Sequence, residues 1–227
     1  LTEQECAGKC LMWLRDNVLY HKDELLQQEK APDIYKVMDR IVSRIPAGAN
    51  NVIFTPWLYG ERTPVEDRHI RSSLFNLSLE NTREDIARAV FEGVALNQKW
   101  LLTYVEKFMK RPFQALNFIG GGANSDVWSQ ILADVMNTTI RQVKDPIFSN
   151  ARGVAFLAAL ALGHITVEDI SRHIKIKAEY RPNPDHRRIY DSLFREYVNL
   201  YKSQRKACAR INSVKVPGAC TPAPQFQ

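Results

Sequence analysis

Apolar residues recur at helical spacing in the first part of the chain and give way to short β-branched runs further on. Two helical stripes come first, at Leu11, Leu14, Val18 and Leu19, and then at Ile34, Val37, Met38, Ile41 and Ile45. Pro46 and Gly48 end the second stripe. The next segment, NVIFTPWL, is short, β-branched and aromatic, which predicts a strand that ends at Pro56.

A charged loop separates this strand from the longest helical stripe. The loop, YGERTPVEDRHIRSSLFNL, is rich in charges and turn formers, and SLFNLSL at its end is expected to form an edge strand. Asn81 or Thr82 then caps a long helix that carries Glu84 and Asp85 in its first turn. The buried stripe of this helix is predicted to be Ile86, Val90, Val94, Leu101 and Val105.

Strands and helices alternate after the long helix. ALNFIGGG predicts a strand running into a glycine turn, SDVWSQILADVMN a helix with Ser125 as its N-cap, and TIRQV a short strand. Arg152–Leu162 is nearly all apolar, which predicts a helix buried on most sides and ended by Gly163. A helical turn from Thr166, the loop EYRPNPDHRR and a last helix follow. The alternation predicts an α/β fold with flanking helices.

Composition and charge narrow the class of protein. The chain has 227 residues, 45% of them hydrophobic and 25% charged, as in ordinary soluble globular proteins. No window resembles a membrane span and residues 1–20 lack the layout of a signal peptide, so a cytoplasmic location is expected. The net charge of +6 belongs to the C-terminal quarter, where residues 171–227 carry 12 Lys and Arg against 4 Asp and Glu. Because this excess is spread along a helix and a tail, it favours a solvated face over nucleic-acid binding.

Cysteine and histidine positions give no sign of a disulfide framework or a metal centre. The cysteines lie near the two ends without CxxC spacing, at Cys6, Cys10, Cys208 and Cys220. The histidines His164, His173 and His186 lack metal-like spacing as well, so no protein metal site is predicted.

The segment 207–227 has three prolines and no periodicity, and it is expected to be a disordered tail after a domain at 1–206.

Three consecutive glycines, Gly120 to Gly122, stand between a predicted strand and a predicted helix. The free N–H groups and the dipole at a helix start favour an anion, and glycine lets the backbone approach it closely. GGGANS lacks both the GxGxxG spacing of a dinucleotide site and the Gly-Lys-Ser/Thr of a P-loop. From these residues alone, a phosphate-binding loop and a tight turn without a ligand both remain open.

Four motifs come in order along the chain: YGERTP, RAVFEGVA, FIGGGANSDVWSQILADV and NARGVAFLAALALG. Together they resemble the C-terminal domain of the FGGY carbohydrate kinases, most closely the xylulokinase-like members, over roughly Asn51 to Gly163. The resemblance implies a ribonuclease H-like, actin-like ATPase domain, the C-terminal half of a two-domain sugar kinase. One departure is Asn76, which stands where the family usually has glycine, beside the predicted edge strand.

The resemblance also implies a nucleotide site, with ATP and Mg²⁺ as cofactors and the sugar held mostly by the other domain. The residues that it places at the nucleotide are Gly120, Gly121, Gly122, Ala123, Asn124, Ser125, Asn150 and Gly153. The glycines would line the α- and β-phosphates, the three residues after them would edge the adenosine, and the last two would belong to a turn that closes the pocket.

The catalytic aspartate of the family precedes the part of the family sequence that matches here, and its GTS-type phosphate loop is not found either. Transfer of phosphate to a hydroxyl needs such a carboxylate. The chain is therefore expected to bind ATP as part of a xylulose-type kinase and to be inactive alone, with the missing N-terminal kinase domain as its partner. The alternative is a non-catalytic actin-like domain for nucleotide binding or interaction. An open sheet edge would favour a homodimer.

Within the charged loop, Glu61, Asp67 and His69 could in principle transfer protons. Charged loop residues are more often solvated, so Glu61 and Arg62 are expected instead to order the loop near the interdomain hinge. Packing rather than ligand stacking is expected for the tryptophans in apolar patterns, Trp57, Trp100 and Trp128.

Overall fold

The computed structural model describes residues 4, 6–19 and 33–213, and the structural statements below refer to these residues. The helices are α1 (Gly8–Leu14), α2 (Ile34–Val42), α3 (Arg83–Met109), α4 (Asp126–Met136), α5 (Ser149–Ala161), α6 (Val167–His173) and α7 (Arg187–Ser213). The strands are β1 (Ile53–Phe54), β2 (Leu74–Phe75), β3 (Ala115–Phe118), β4 (Thr139–Val143) and β5 (Ile176–Tyr180).

Helices α1 and α2 pack against the long helix α3. The predicted stripes supply this contact, with Leu11 and Leu14 of α1 and Met38 of α2 buried in the core. A π-helical turn, Arg15–Leu19, continues α1. The two N-terminal helices thereby form one side of the molecule next to α4, which α2 also contacts.

Helix α3 is the central element, with 27 residues and most of its buried positions in its first half. Thr82, rather than Asn81, caps it: the Thr82 side chain accepts from the Asp85 backbone N–H while the Asp85 carboxylate accepts from the Thr82 backbone N–H. This capping box satisfies two donors that would otherwise be unpaired at the helix start. Gly93 lets the helix approach β1 closely, because a Cβ at Gly93 would overlap the carbonyl oxygen of Phe54.

A three-stranded sheet in the order β3-β4-β5 carries the second half of the domain. Strands β3 and β4 are parallel and are joined through α4, whereas β4 and β5 are antiparallel. The loop predicted at Glu179 and Tyr180 is wrong, because both residues belong to β5. A separate antiparallel pair, β1 and β2, contains the predicted edge strand. Asn76 follows that strand with φ of +66°, a conformation that glycine adopts more readily.

Helix α5 differs from its prediction in burial. It was expected to be buried on most sides, but none of its 13 residues is buried, and Val154 and Leu157 are 67% and 68% exposed. Among the described residues its main contact is the 3₁₀ turn Pro146–Phe148 that precedes it. The prediction was wrong for this chain because an apolar helix is buried only where another element covers it.

Helix α7 closes the domain against α3 and α4. Its buried side chains include Tyr190, Tyr197 and Tyr201. The packing role predicted for Trp57, Trp100 and Trp128 is confirmed, since all three are buried. Because α7 continues through Ser213, residues 207–213 are helical rather than disordered, and residues 214–227 of the predicted tail lie outside the described residues. In the part of the chain that is described, none of the helices has the length and apolar character needed to cross a bilayer.

Candidate functional site

The glycine loop links the end of β3 to the start of α4. Gly120 has φ of +87° and ψ of −179°, which is accessible to glycine and strained for other residues. Its backbone N–H donates to the Pro146 carbonyl at 3.0 Å, which ties the loop to the turn before α5. A single 3₁₀ turn, Gly121–Asn124, then leads into α4. The predicted sequence of strand, glycine turn and helix is confirmed.

Gly121 and Gly122 present backbone donors at this position. No acceptor among the described residues pairs with the N–H of either glycine. A Cβ at Gly121 would meet no atom within 4 Å, so this residue faces open space. A Cβ at Gly122 would lie 2.5 Å from Cζ3 of Trp128, so this glycine is needed for packing. Two unpaired donors beside open space, at the start of a helix, are suited to an anion.

Ser125 connects the loop to α2. Its Oγ accepts from the Trp128 backbone N–H at 2.9 Å, which confirms Ser125 as the N-cap of α4. The same hydroxyl donates to Oδ1 of Asp39 at 2.6 Å. Burial raises the pKa of Asp39, as do the neighbouring charges of Asp126 and Asp33, while the bond from Ser125 lowers it in part.

Gln142 supports the loop from beneath. This fully buried side chain of β4 donates to the Ala123 carbonyl at 2.7 Å and to Oδ1 of Asp126 at 2.9 Å. Its own oxygen accepts from the Tyr180 hydroxyl at 3.3 Å, and burial raises the pKa of Tyr180 to about 12. The pKa of Asp126 is lowered, first by the bond from Gln142 and also by the ammonium of Lys177 at 3.0 Å. The loop is therefore anchored by β4 and β5.

A cavity of about 530 Å³ opens in front of the loop. Its lining residues come from α1, from α2 and the residue before it, from α3, and from the loop with the start of α4: Gly8, Leu11, Met12, Asp33, Tyr35, Lys36, Asp39, Phe91, Gly121, Gly122, Asn124, Ser125 and Trp128. Pockets of this size accommodate small-molecule ligands. Of the predicted nucleotide residues, the structure brings Gly121, Gly122, Asn124 and Ser125 to this cavity, while Ala123 is buried behind it.

Asn150 and Gly153 differ from the prediction in their secondary structure. Both belong to the first turns of α5, so the predicted turn at these residues is wrong, and neither lines the cavity. The turn beside the glycine loop is Pro146–Phe148 instead. A helix forms here because Ser149 onwards is rich in alanine and leucine, which favour helix over turn.

Glu61 is held inside the domain by Asn97 of α3. One carboxylate oxygen accepts from Nδ2 of Asn97 at 2.9 Å, and the other accepts from the backbone N–H groups of Arg62 and Thr63. The Asn97 oxygen in turn accepts from Tyr197 at 2.7 Å and from Trp57 at 3.2 Å. Because its oxygens already serve structural donors and the residue is only 3% exposed, Glu61 is set up to order its loop rather than to transfer protons.

Asp67 is likewise engaged in the loop. Its Oδ1 accepts from the backbone N–H groups of His69 and Ile70, and its Oδ2 accepts from the Tyr201 hydroxyl at 3.2 Å. Its backbone pairs with that of Glu61 in a short antiparallel bridge. Throughout residues 6–19 and 33–213, no group of three or more His, Cys, Asp or Glu side chains is arranged to hold a metal ion.

The sequence gives no sign of the cavity wall that α1 and α2 form. Tyr35, Lys36 and Asp39 appear in the sequence only as polar positions of an amphipathic helix, which normally face solvent. Gln142 was also missed, since one glutamine in a short strand carries no distinguishing pattern. Only the packing of α2 against α4 places Asp39 beside Ser125.

The fold and the loop together define a mixed α/β domain of the actin-like ATPase class. Residues 2–162 match the family described as "FGGY family of carbohydrate kinases, C-terminal domain". The chain belongs to this family, which confirms the resemblance drawn from the four motifs and the predicted fold class.

Similar proteins include kinases for more than one substrate. The chain is 32% identical over 213 residues to a xylulose kinase of Staphylococcus epidermidis, covering 92% of this chain and 40% of the relative. It is 29% identical over 198 residues to a gluconokinase of Bacillus licheniformis, covering 87% and 38%. The crystal structure of a ligand-bound xylulose kinase from Lactobacillus acidophilus superposes with a TM-score of 0.78 at 27% identity, over 92% of this chain and 40% of that one. The chain thus spans about 40% of the length of these relatives.

Proposed function

We propose that this chain is the ATP-binding part of a carbohydrate kinase that transfers the γ-phosphate of ATP to a sugar hydroxyl. Family membership supports the class of reaction. The observation that carries the nucleotide assignment is the glycine loop: Gly121 and Gly122 direct unpaired N–H groups beside a cavity, at the start of α4. Such donors and the helix dipole stabilise the negative charge of phosphate.

The nucleotide residues that we propose belong to the glycine loop and to the start of α5. Gly120 shapes the loop, Gly121 and Gly122 donate to the phosphates, and Ala123, Asn124 and Ser125 continue toward the adenosine. Asn150 and Gly153 are retained as a proposal, since they follow the turn that holds Gly120. Mg²⁺ is proposed to arrive with the nucleotide, because phosphate oxygens supply much of its coordination in such sites.

The nucleotide site is tested by calorimetric titration of the chain with Mg-ADP. Wild type is expected to bind saturably. Gly121→Val is expected to abolish binding, because its side chain would enter open space where phosphate must approach, without colliding with the protein. Ala161→Val, at an exposed position of α5, adds a similar volume away from the cavity and should bind as wild type does. Equal binding by wild type and Gly121→Val would refute the assignment of this loop.

We propose xylulose as the sugar, because the Staphylococcus epidermidis relative and the similar Lactobacillus acidophilus structure are both xylulose kinases. The competing substrate is gluconate, named for the Bacillus licheniformis relative. Comparison of ATP consumption with xylulose and with gluconate in the complete two-lobed kinase decides between them. A higher kcat/KM for gluconate would show that the proposed sugar is wrong.

The catalytic base is proposed to lie in the other lobe of the kinase, which is the chain's proposed partner. Glu61 and Asp67 are occupied by structural hydrogen bonds, so they do not supply it. This chain alone, given Mg-ATP and xylulose, is therefore expected to form no sugar phosphate even where it binds nucleotide. Turnover by the chain alone would contradict the proposal.

The proposed location is the cytoplasm, where ATP is available.

The surface that receives the other lobe is proposed to include α5. Its exposed apolar side chains and the chain's 40% coverage of its relatives support this. In the chain alone, this apolar surface favours self-association. One edge of β3 does so as well, because no described strand pairs with it. Light scattering at high protein concentration should report a dimer or larger species, and a monomer would argue against it.

A further inference from the structure

Asp39 lines the cavity, and its contacts with the described residues leave its carboxylate incompletely paired. Its Oδ1 accepts from Ser125, and Ser125 is fixed in turn because its oxygen caps α4. Oδ2 has no hydrogen-bond partner within the described residues. The ammonium of Lys36, on the same helix, lies 3.7 Å from Asp33, and no described cation lies within 4 Å of Asp39.

A half-buried carboxylate of this kind is costly unless something else hydrogen-bonds to it. The Ser125 bond holds it in one orientation at the cavity wall, so its second oxygen is preorganised as an acceptor. A ligand in the cavity that offers a hydroxyl or an amine would make a charge-assisted hydrogen bond there.

The charges of the site determine which part of a nucleotide Asp39 can meet. Phosphates are repelled by a carboxylate and attracted by the free N–H groups of Gly121 and Gly122, so the phosphates belong at the glycine end. Ser125 lies one 3₁₀ turn further along, at a rise of about 2 Å per residue. The part of a nucleotide that follows its α-phosphate is the ribose, which carries two hydroxyl donors.

The base has other surfaces to occupy. Met12, which lines the cavity and is 48% exposed, offers an apolar surface for a flat ring. A carboxylate that accepts from ribose hydroxyls is also the arrangement by which dinucleotide-binding folds hold their ribose. The unpaired oxygen of Asp39 and its position beside Ser125 therefore both favour a ribose at this carboxylate.

We propose that Asp39 binds the ribose hydroxyls of the nucleotide and makes the site selective for a ribonucleotide. This inference rests on the proposed nucleotide site and adds a specificity residue from α2 to it. Asp39 acts by direct contact, and Ser125 positions it.

The test compares Mg-ADP with Mg-2′,3′-dideoxy-ADP by calorimetric titration of the chain and of Asp39→Asn. Wild type is expected to bind ADP about tenfold or more tightly than the dideoxy nucleotide, the usual effect of a hydrogen bond to a charged group. Asp39→Asn should weaken ADP binding, leave dideoxy-ADP binding unchanged and so reduce the preference to a few-fold. The asparagine oxygen can still accept from Ser125, and a thermal unfolding curve checks that the variant is folded.

Glu179→Gln is the matched control, because it removes the same charge from an exposed ion pair with Arg141 outside the cavity. It should keep the full preference for ADP. If Asp39→Asn keeps the full preference for ADP, the inference is wrong while the nucleotide site stands. Equal weakening of ADP and dideoxy-ADP binding would have the same meaning, because Asp39 would then contact another part of the nucleotide. Failure of wild type to bind either nucleotide would overturn the proposed nucleotide site, and the inference with it.

Discussion

At the residue scale, the three adjacent glycines of the loop have different structural roles. Gly120 is required by its positive φ, Gly122 by the ring of Trp128, and Gly121 by neither. When neither the backbone conformation nor the packing of the chain requires a glycine, a bound ligand is the remaining reason for the absence of a side chain. This is why Gly121 is the most informative position for testing a ligand at the loop.

Asp39 gives a prediction for the pH dependence of stability. Its pKa is raised above that of the unfolded chain, about 3.9, first by burial and then by nearby acidic groups. A raised folded-state pKa contributes stability that is present below the unfolded pKa and is lost as the pH rises through the folded pKa. Asp39→Asn, which is always neutral, should therefore match wild type near pH 3 and be more stable than wild type at pH 7.

Urea unfolding of both proteins at the two pH values measures this difference, and comparing them cancels the other titrating groups. A wild type that is more stable than the variant at pH 7 would mean that the carboxylate is favourably paired in the folded chain. If Asp39→Asn is the more stable protein at pH 7, the Asp39 carboxylate lowers the stability of the folded chain. Functional residues often have this effect, because they are selected for binding a ligand rather than for stability.

At the element scale, the close approach of α3 to β1 depends on one position. Gly93→Ala should destabilise the domain by about 1–3 kcal/mol, the usual cost of overpacking, although alanine is the better helix former. Gly153→Ala in α5 should have the opposite sign and stabilise by about 0.5–1 kcal/mol, because its Cβ would meet nothing within 4 Å. Midpoints of denaturant unfolding at unchanged slope measure both effects. Stabilisation by Gly93→Ala would contradict the packing described for Gly93.

Elements with a strong local pattern were predicted well. Helix α3 and helix α4 carry long stripes and side-chain caps, and those signals depend only on neighbouring residues. Strand β5 was missed although IKIKAEY alternates apolar and polar residues over part of its length. Its pairing with β4 is a contact between segments more than thirty residues apart, as between Ile140 and Tyr180, and the sequence does not show such a partner.

At the scale of the whole molecule, the exposed apolar side of α5 is the feature that the chain by itself does not explain. Leu157→Gln in this chain should change stability by no more than about 0.5 kcal/mol, because the side chain is 68% exposed. In the complete kinase the same change should destabilise by about 2 kcal/mol, the value of burying a leucine. Thermal or denaturant unfolding of both proteins checks this, and equal small effects would show that the other lobe does not cover α5.

The sequence by itself determined the family, the α/β alternation and the position of the glycine loop, because these depend on motifs and on patterns within one element. Tertiary structure alone decided which residues meet at the cavity. It brought Asp39 of α2 to Ser125, placed Gln142 beneath the loop and put Asn150 and Gly153 in helix α5. The physical reason is that a periodic pattern shows which side of a helix is polar, whereas the neighbour that this side faces depends on how distant segments pack.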